Sequence, residues 1–353
     1  MPINRDFFDP DELTSQIRTA LAEMEINSPT SLAPYLPSET LDDIEYEAEA
    51  GQGGLIEAAM YRAFEAELPL GRDEALGNLR GRIHPLGQKI PLFEEERLRL
   101  RNDSEAALRA NITRKARRAA QAVAIAVDIK RADAITTGKL TFVGNNQDFV
   151  VDFGRRADFT TTAANLWTDT TNSDPIAYLQ SLADLYEAEN GFRPEEMLTS
   201  TQVRTAFYRH PKVNAAAWGS AYNSSITALA PEANVSGLLG QYDLPAFRTV
   251  QGKVKVRNND GTNTIRNLIP SDSLTMLTRQ GDPAVAGSSM FGRTFWGVTI
   301  EATKANWGIT EWPGIVGAVF DNDDVPARMW VAASAIAMPV PVNPNFSLTA
   351  KVV

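Results

Sequence analysis

Residues 103–137 contain no proline and no glycine and are dense in Ala, Arg, Lys and Gln. The strong helix propensity of these residue types predicts one unbroken helix. Asn102-Asp103-Ser104-Glu105 supplies a start signal and Gly138 a stop. At 1.5 Å per residue, about 33 residues give a rod of roughly 50 Å, longer than a small domain is wide. Leu108, Ile112, Ala116, Ala119, Val123, Ala126 and Val127 form one narrow apolar stripe, and Arg109, Arg114, Arg117 and Arg118 crowd the first half. The chain must therefore be built along a beam.

What precedes the beam is a poor recipe for an independent core. Asp9-Pro10-Asp11-Glu12 opens a short helix by capping-box and proline signals. Leu13, Ile17, Leu21 and Met24 follow on one face, a stripe that needs a partner surface on this chain or on a neighbour. Pro34 and Pro37 break the chain, and an acidic stretch covers 39–49. Gly51-Gln52-Gly53-Gly54, Gly71, Gly77, Gly81 and Gly87 then punctuate a long excursion whose legs are expected at 60–70 and 80–92. An excursion of this length tends to be functional. All six tryptophans lie at 167 or later, which puts the compact body in the second half.

Beyond the beam, 139–143 and 149–153 read as a hairpin. Asp174-Pro175 starts a helix with Ile176, Leu179, Leu182 and Tyr186 on one face, stopped by Asn190-Gly191. Met197-Leu198-Thr199 reads as a short buried strand, with a helix over 201–208. Asn259-Asp260-Gly261 joins a second hairpin, and apolar strands close the chain from 327.

Charge is divided unevenly: residues 1–68 carry net −12, 69–139 net +6 and 140–353 net −4. An acidic first fifth beside a basic middle can pair within one chain or between copies. The overall balance of −10 argues against a dedicated nucleic-acid reader. No cysteine is present and only His84 and His210 represent histidine, which excludes thiolate chemistry and disfavours a histidine zinc site. The glycine cluster at 51–54 lacks the strand–turn–helix context of a dinucleotide loop, no P-loop exists, and Asp321-Asn322-Asp323-Asp324 lacks the glycine and distal glutamate of a calcium loop. Ser220, in Trp-Gly-Ser-Ala-Tyr, is not a nucleophile elbow. No catalytic, cofactor or metal residue is assigned. The first residues lack a signal peptide, and the longest apolar run, 119–127, is far short of the roughly 18 residues of a membrane span. A protein made and used without export is expected.

The order of arm, excursion, arginine-bearing helix, hairpin, mixed body and returning strands resembles the major capsid proteins of tailed bacteriophages, specifically the coliphage lambda capsid protein E family. Leu98-Arg99-Leu100-Arg101 leads into the long helix and Thr137-Gly138-Lys139-Leu140-Thr141 leaves it. Val151-Asp152-Phe153-Gly154-Arg155 closes the hairpin, Trp167 and Asp174-Pro175 follow, and Pro326-Ala327-Arg328 precedes the last strands.

The resemblance implies an α+β fold of the Hong Kong 97 phage capsid type. Its parts would be an N-terminal arm (1–38), an extended E-loop (39–95), a peripheral domain with the spine helix and hairpin (96–173), an axial domain (174–300) and return strands of the peripheral domain (301–353). It implies a non-enzymatic, cofactor-free virion protein, assembled in the host bacterial cytoplasm as pentamers and hexamers of an icosahedral shell around double-stranded DNA, with no membrane partner. Too little chain precedes the loop for a fused scaffold, so a separate scaffolding protein is expected, with a portal and a decoration protein. Lys89 is the only lysine before Lys115, and nothing marks it as a cross-linking residue; non-covalent shells are expected. Leu13, Ile17, Leu21, Arg80, Arg82 and Lys89 are the expected inter-subunit contacts, and Arg114, Lys115, Arg117 and Arg118 a basic cluster facing the lumen. The rival readings are a tail-tube or decoration protein, which the long helix disfavours, and a carboxylate hydrolase.

Overall fold

The computed structural model describes residues 3–50, 77–100, 105–144, 147–219, 229–258, 260–278, 289–322 and 328–353. Helix α1 (Pro10–Asn27) starts at a proline, whose fixed φ suits the first turn; the Asp9 side chain makes no capping hydrogen bond. Strands β1 (Ser38–Thr40), β2 (Glu45–Ala50), β3 (Gly77–Arg82) and β4 (Pro85–Leu92) follow, then α2 (Glu94–Leu100) and the beam, α3 (Glu105–Thr137). Gly138 ends α3 at φ +66°, where a Cβ would meet the Arg155 side chain at 2.8 Å. Arg155 in turn donates to the last-turn carbonyls of Ile135 (3.1 Å) and Thr136 (2.7 Å), closing a helix end that glycine alone would leave open. Burial lowers its pKa to about 10, so it stays charged at neutral pH.

The chain continues through β5 (Lys139–Gly144), β6 (Gln147–Asp152) and β7 (Thr160–Thr162) to α4 (Pro175–Asn190). Asp174 caps α4 by accepting from the Ala177 amide at 3.1 Å, and Gly191 closes it at φ +78°. Then come β8 (Glu196–Thr199), α5 (Thr201–Arg209), α6 (Pro211–Trp218), α7 (Glu232–Gln241), β9 (Ala246–Thr249), β10 (Lys253–Arg257), β11 (Asn263–Asn267) and β12 (Ser273–Leu277). Strands β13 (Gly292–Gly297), β14 (Val316–Asn322), β15 (Arg328–Pro341) and β16 (Ser347–Lys351) finish the chain.

Two compact units result. The first joins Met1–Glu47, Arg80–Ala132 and Arg293–Val340. Its sheet has the order β1-β13-β15-β14, with β4 also paired to β15. The stripe of α3 (Ile112, Ala116, Ala119, Val123, Val127) and the α1 residues Leu13 and Ile17 bury one face of that sheet against Val319, Met329 and Val331. Each large aliphatic side chain so covered is worth about 1.5–3 kcal/mol. Helix α1 can lie this close because position 317 is glycine: a Cβ there would collide with Ile17 Cδ1. Thr14 Oγ1 also donates to the Gly317 carbonyl (3.3 Å) and accepts from its amide (3.0 Å).

The second unit joins Ala48–Leu79, Asp133–Gly292 and Pro341–Val353. Its sheet runs β7-β16-β12-β8-β9, with β12 buried along its whole length. Leu179, Leu182 and Tyr186 of α4, Val203 and Phe207 of α5, and Leu238 of α7 share a core with Met197, Leu274 and Leu348. The hairpins β5–β6 and β10–β11 stand as separate two-stranded ribbons, as does the β2–β3 pair.

One expectation is corrected. The leg expected at 80–92 splits after Arg82, because Pro85–Leu92 is claimed by the β15 ladder from Pro85–Ile336 to Leu92–Met329. The leg at 60–70 lies outside the described residues. The partner surface that the α1 stripe needs comes from this chain: 293–340 returns to cover α1 and α3. Residues 139–173 and 341–353 cluster with 174–292, while the arm and 293–300 cluster with 80–132, since β16 pairs with β12 and β7, and β1 pairs with β13.

Candidate functional site

The strongest polar construction in the first unit centres on Arg131, whose side chain is 1% exposed. Its Nε donates to Thr294 Oγ1 (2.9 Å), Nη1 to Asp128 Oδ1 (3.1 Å), and Nη2 to Glu25 Oε1 (2.8 Å) and Ser38 Oγ (2.9 Å). Ser38 Oγ donates to Glu25 (2.8 Å) and accepts from Trp296 Nε1 (2.9 Å), and Thr294 Oγ1 donates to the Leu36 carbonyl (2.8 Å). One guanidinium therefore ties the end of α1, β1, the beam and β13 into a single cluster. Two carboxylates share it. Burial pushes the Asp128 carboxyl above the usual carboxylate range and Arg131 pulls it back. Sequence reasoning missed this cluster, although Val123, Val127, Arg131 and Ile135 recur at intervals of four. A cation on the apolar stripe was the available signal.

The residues expected at subunit contacts divide. Leu13 and Ile17 have no exposed surface left, because β14 and β15 of the same chain cover them, so they are removed from the contact set. Leu21 is half-buried. Arg80 and Arg82 stand on the β2–β3 ribbon, exposed, and pair across it with Glu47 (2.5 Å) and Glu45 (2.9 Å). Lys89 is exposed on β4, its Nζ 5.9 Å from the ring centre of Trp330.

The basic cluster also divides. Arg114, Arg117 and Arg118 are exposed and line, with Thr113 and Gln121, a shallow depression of about 500 Å³ on α3. Lys115 points the other way. It is buried, donating to the Pro91 carbonyl (2.9 Å) and to Glu96 (2.8 Å), because the residue after Arg114 turns toward the sheet side of the helix. The Glu96 carboxyl is held below its usual range, chiefly by that hydrogen bond. Lys115 is a strut between α2 and α3 and leaves the cluster.

The nearest approach to a nucleophile–base pair is Ser173 Oγ and His210 Nε2 at 2.9 Å. Both are buried, and His210 Nδ1 accepts from the Lys212 amide (3.3 Å) as the cap of α6. With Nδ1 accepting, Nε2 carries the proton and donates to Ser173, which itself donates to the Asp169 carbonyl (2.5 Å). A serine so placed is a structural link and offers no lone reactive hydroxyl to a substrate. Among the described residues no group of three or more His, Asp or Glu side chains could hold a metal ion, and no helix is long and apolar enough to cross a membrane.

Comparison with known proteins gives a family. The profile described as Phage major capsid protein E matches residues 50–352. No curated protein matches. Among solved structures, a proposed capsid protein of a prophage of Escherichia coli CFT073 superposes with a TM-score of 0.62 at 16% identity, over 96% of this chain and 99% of that one. A phage-related protein from Bordetella bronchiseptica RB50 superposes with a TM-score of 0.49 at 13% identity, over 96% of this chain and 95% of that one.

Proposed function

The chain belongs to the phage major capsid protein E family, and on that premise we propose how its own residues build the icosahedral head shell that is this family's task. It is a non-enzymatic virion protein of the Hong Kong 97 capsid fold, and its functional state is a homo-oligomeric shell. The observation that carries this reading is the family match across 50–352.

Within the shell, subunits gather as pentamers and hexamers around double-stranded DNA, with a separate scaffolding protein, a portal and a decoration protein as partners. Neighbours meet through Leu21, Arg80, Arg82 and Lys89. The ion pairs Arg80–Glu47 and Arg82–Glu45 support this, since exposed pairs are each worth about 0–1 kcal/mol and can change partners at little cost. Arg114, Arg117 and Arg118 form a basic face that tolerates DNA at the lumen without reading its sequence. The 39–95 segment acts as the extended loop across a neighbour, supported by the β2–β3 ribbon at its base. The experiment is expression of the chain, alone and with its neighbouring genes, followed by light scattering and electron microscopy. Shells, or rings of five or six 38.6 kDa subunits, are expected. A strictly monomeric product under both conditions refutes the reading. Charge reversal at Arg80, Arg82 and Lys89 together is expected to abolish particles while the subunit stays folded by circular dichroism.

A further inference from the structure

Three two-stranded ribbons stand apart from the main sheets, and they treat charge differently. On β2–β3, Glu45 and Glu47 are matched by Arg82 and Arg80; on β5–β6, Lys139 is matched by Asp152 at 2.7 Å. That is the ordinary economy of a solvated ribbon, in which opposite charges sit across from one another.

Ribbon β10–β11 breaks the rule. Lys253, Lys255 and Arg257 alternate with Val254 and Val256, so all three cations share one face, and all three are exposed. Their cross-strand partners are Asn267, Ile265 and Asn263, none of them acidic. None of the three forms an ion pair with a described residue, in a chain of net charge −10 that has carboxylates to spare. The other basic residue of the ribbon, Arg266, has the opposite orientation in the pleat and is spent on Asp133 at 2.7 Å. The one carboxylate of the turn, Asp260, accepts from the Thr262 amide and hydroxyl. At the foot of the ribbon Lys253 joins Ser200, Gln202, Gln251, Asn267 and Ser271, with Val250 and Ile269, around a cleft of about 390 Å³.

We propose that the outer face of β10–β11, with the cleft at its foot, binds the phosphate backbone of DNA. Alternate residues of a strand stand about 7 Å apart, close to the direct separation of neighbouring phosphates along one strand of B-form DNA. Amides and hydroxyls around Lys253 are the neutral donors that accompany cations at phosphates. The proposal rests on the reading that the shell encloses DNA and gives that DNA a definite seat on the subunit.

The test measures binding of a labelled 30-base-pair duplex to the full-length protein by fluorescence anisotropy across a salt series. Three phosphate contacts contribute about −2.7 to the slope of log K against log salt, at about 0.9 per contact. A fourfold rise in salt is then expected to weaken the wild type about 40-fold more than the triple variant Lys253→Gln/Lys255→Gln/Arg257→Gln. Lys255→Gln alone is expected to lower the slope by about 0.9, which keeps the test valid if the triple variant misfolds. An unchanged slope in both variants overturns the proposal. So does polyglutamate binding that both variants lose while DNA binding persists, which would assign the ribbon to an acidic protein segment. Electron microscopy of the same variants separates the two readings: normal shells with an unchanged slope reject the DNA seat and leave the capsid function standing.

Discussion

Replacing Arg131 with Met probes the construction that joins the arm to the beam. Methionine keeps the length and apolar stem but removes all four hydrogen bonds to Glu25, Ser38, Asp128 and Thr294. It leaves Glu25 and Asp128, whose side chains are 19% and 20% exposed, facing each other without a cation. Removing one partner of a buried ion pair costs about 3–5 kcal/mol, because the remaining charge keeps its desolvation penalty and loses its compensation. For 353 residues that corresponds to a fall in melting temperature of about 4–7 °C, at about 1.3 °C per kcal/mol. The sign with pH follows from Asp128. Its folded pKa already lies above the usual value, so its ionised form costs stability at neutral pH, and that cost is relieved as pH falls through the folded pKa. Without Arg131 the Asp128 carboxyl rises further, so the deficit of the variant is expected to shrink toward acid. Adding Asp128→Asn is expected to restore part of the loss at pH 7. Scanning calorimetry of wild type, Arg131→Met and the double variant at pH 7.5 and 5 measures this. A melting temperature within about 2 °C of wild type, or a deficit that does not change with pH, refutes the reasoning.

His210 is buried and neutral: burial first, then the nearby Lys212, hold its pKa below the usual value while Asp174 opposes them. A depressed histidine gives stability that is present above the unfolded value of about 6.5 and is lost as pH falls through the folded one. Wild type is expected to lose up to about 1.4 kcal/mol more per pH unit than His210→Gln below pH 6.5 in urea titrations; parallel pH profiles would rule this out. Gly317→Val is expected to force Ile17 off β14 and destabilise the protein by about 1–3 kcal/mol, read as faster proteolysis of the first 40 residues. Combining it with Ile17→Ala is expected to recover part of that loss; a Gly317→Val protein as resistant as wild type counts against close packing of α1.

What was legible in the sequence was what local chemistry decides. The beam ends at Thr137 because Gly138 can take φ +66°, and α4 begins and ends at Asp174 and Gly191 by cap geometry written in the sequence itself. The helix stripes were legible too, since Ile112 to Val127 and Ile176 to Tyr186 keep their periods whatever covers them. What covers them was not. Leu13 and Ile17 read equally well as a seam between copies, and only the return of β14, some 300 residues later, decides for their own chain. Lys115 fails in the same way: as a letter it belongs with Arg114 and Arg117, but the 100° step between consecutive helical residues turns it toward Glu96. In the sequence Arg155 belongs to a pattern closing the hairpin, while its work, capping a helix that ended 18 residues earlier, depends on the β5–β6 ribbon folding back. The residues that resisted reading are thus those whose partners are distant in sequence. The same limit applies one level up, because the contacts that make a shell are made by partners on another chain. That is why the exposed charges that pair with no described residue, Lys253, Lys255 and Arg257 above all, are the most informative residues left on its surface.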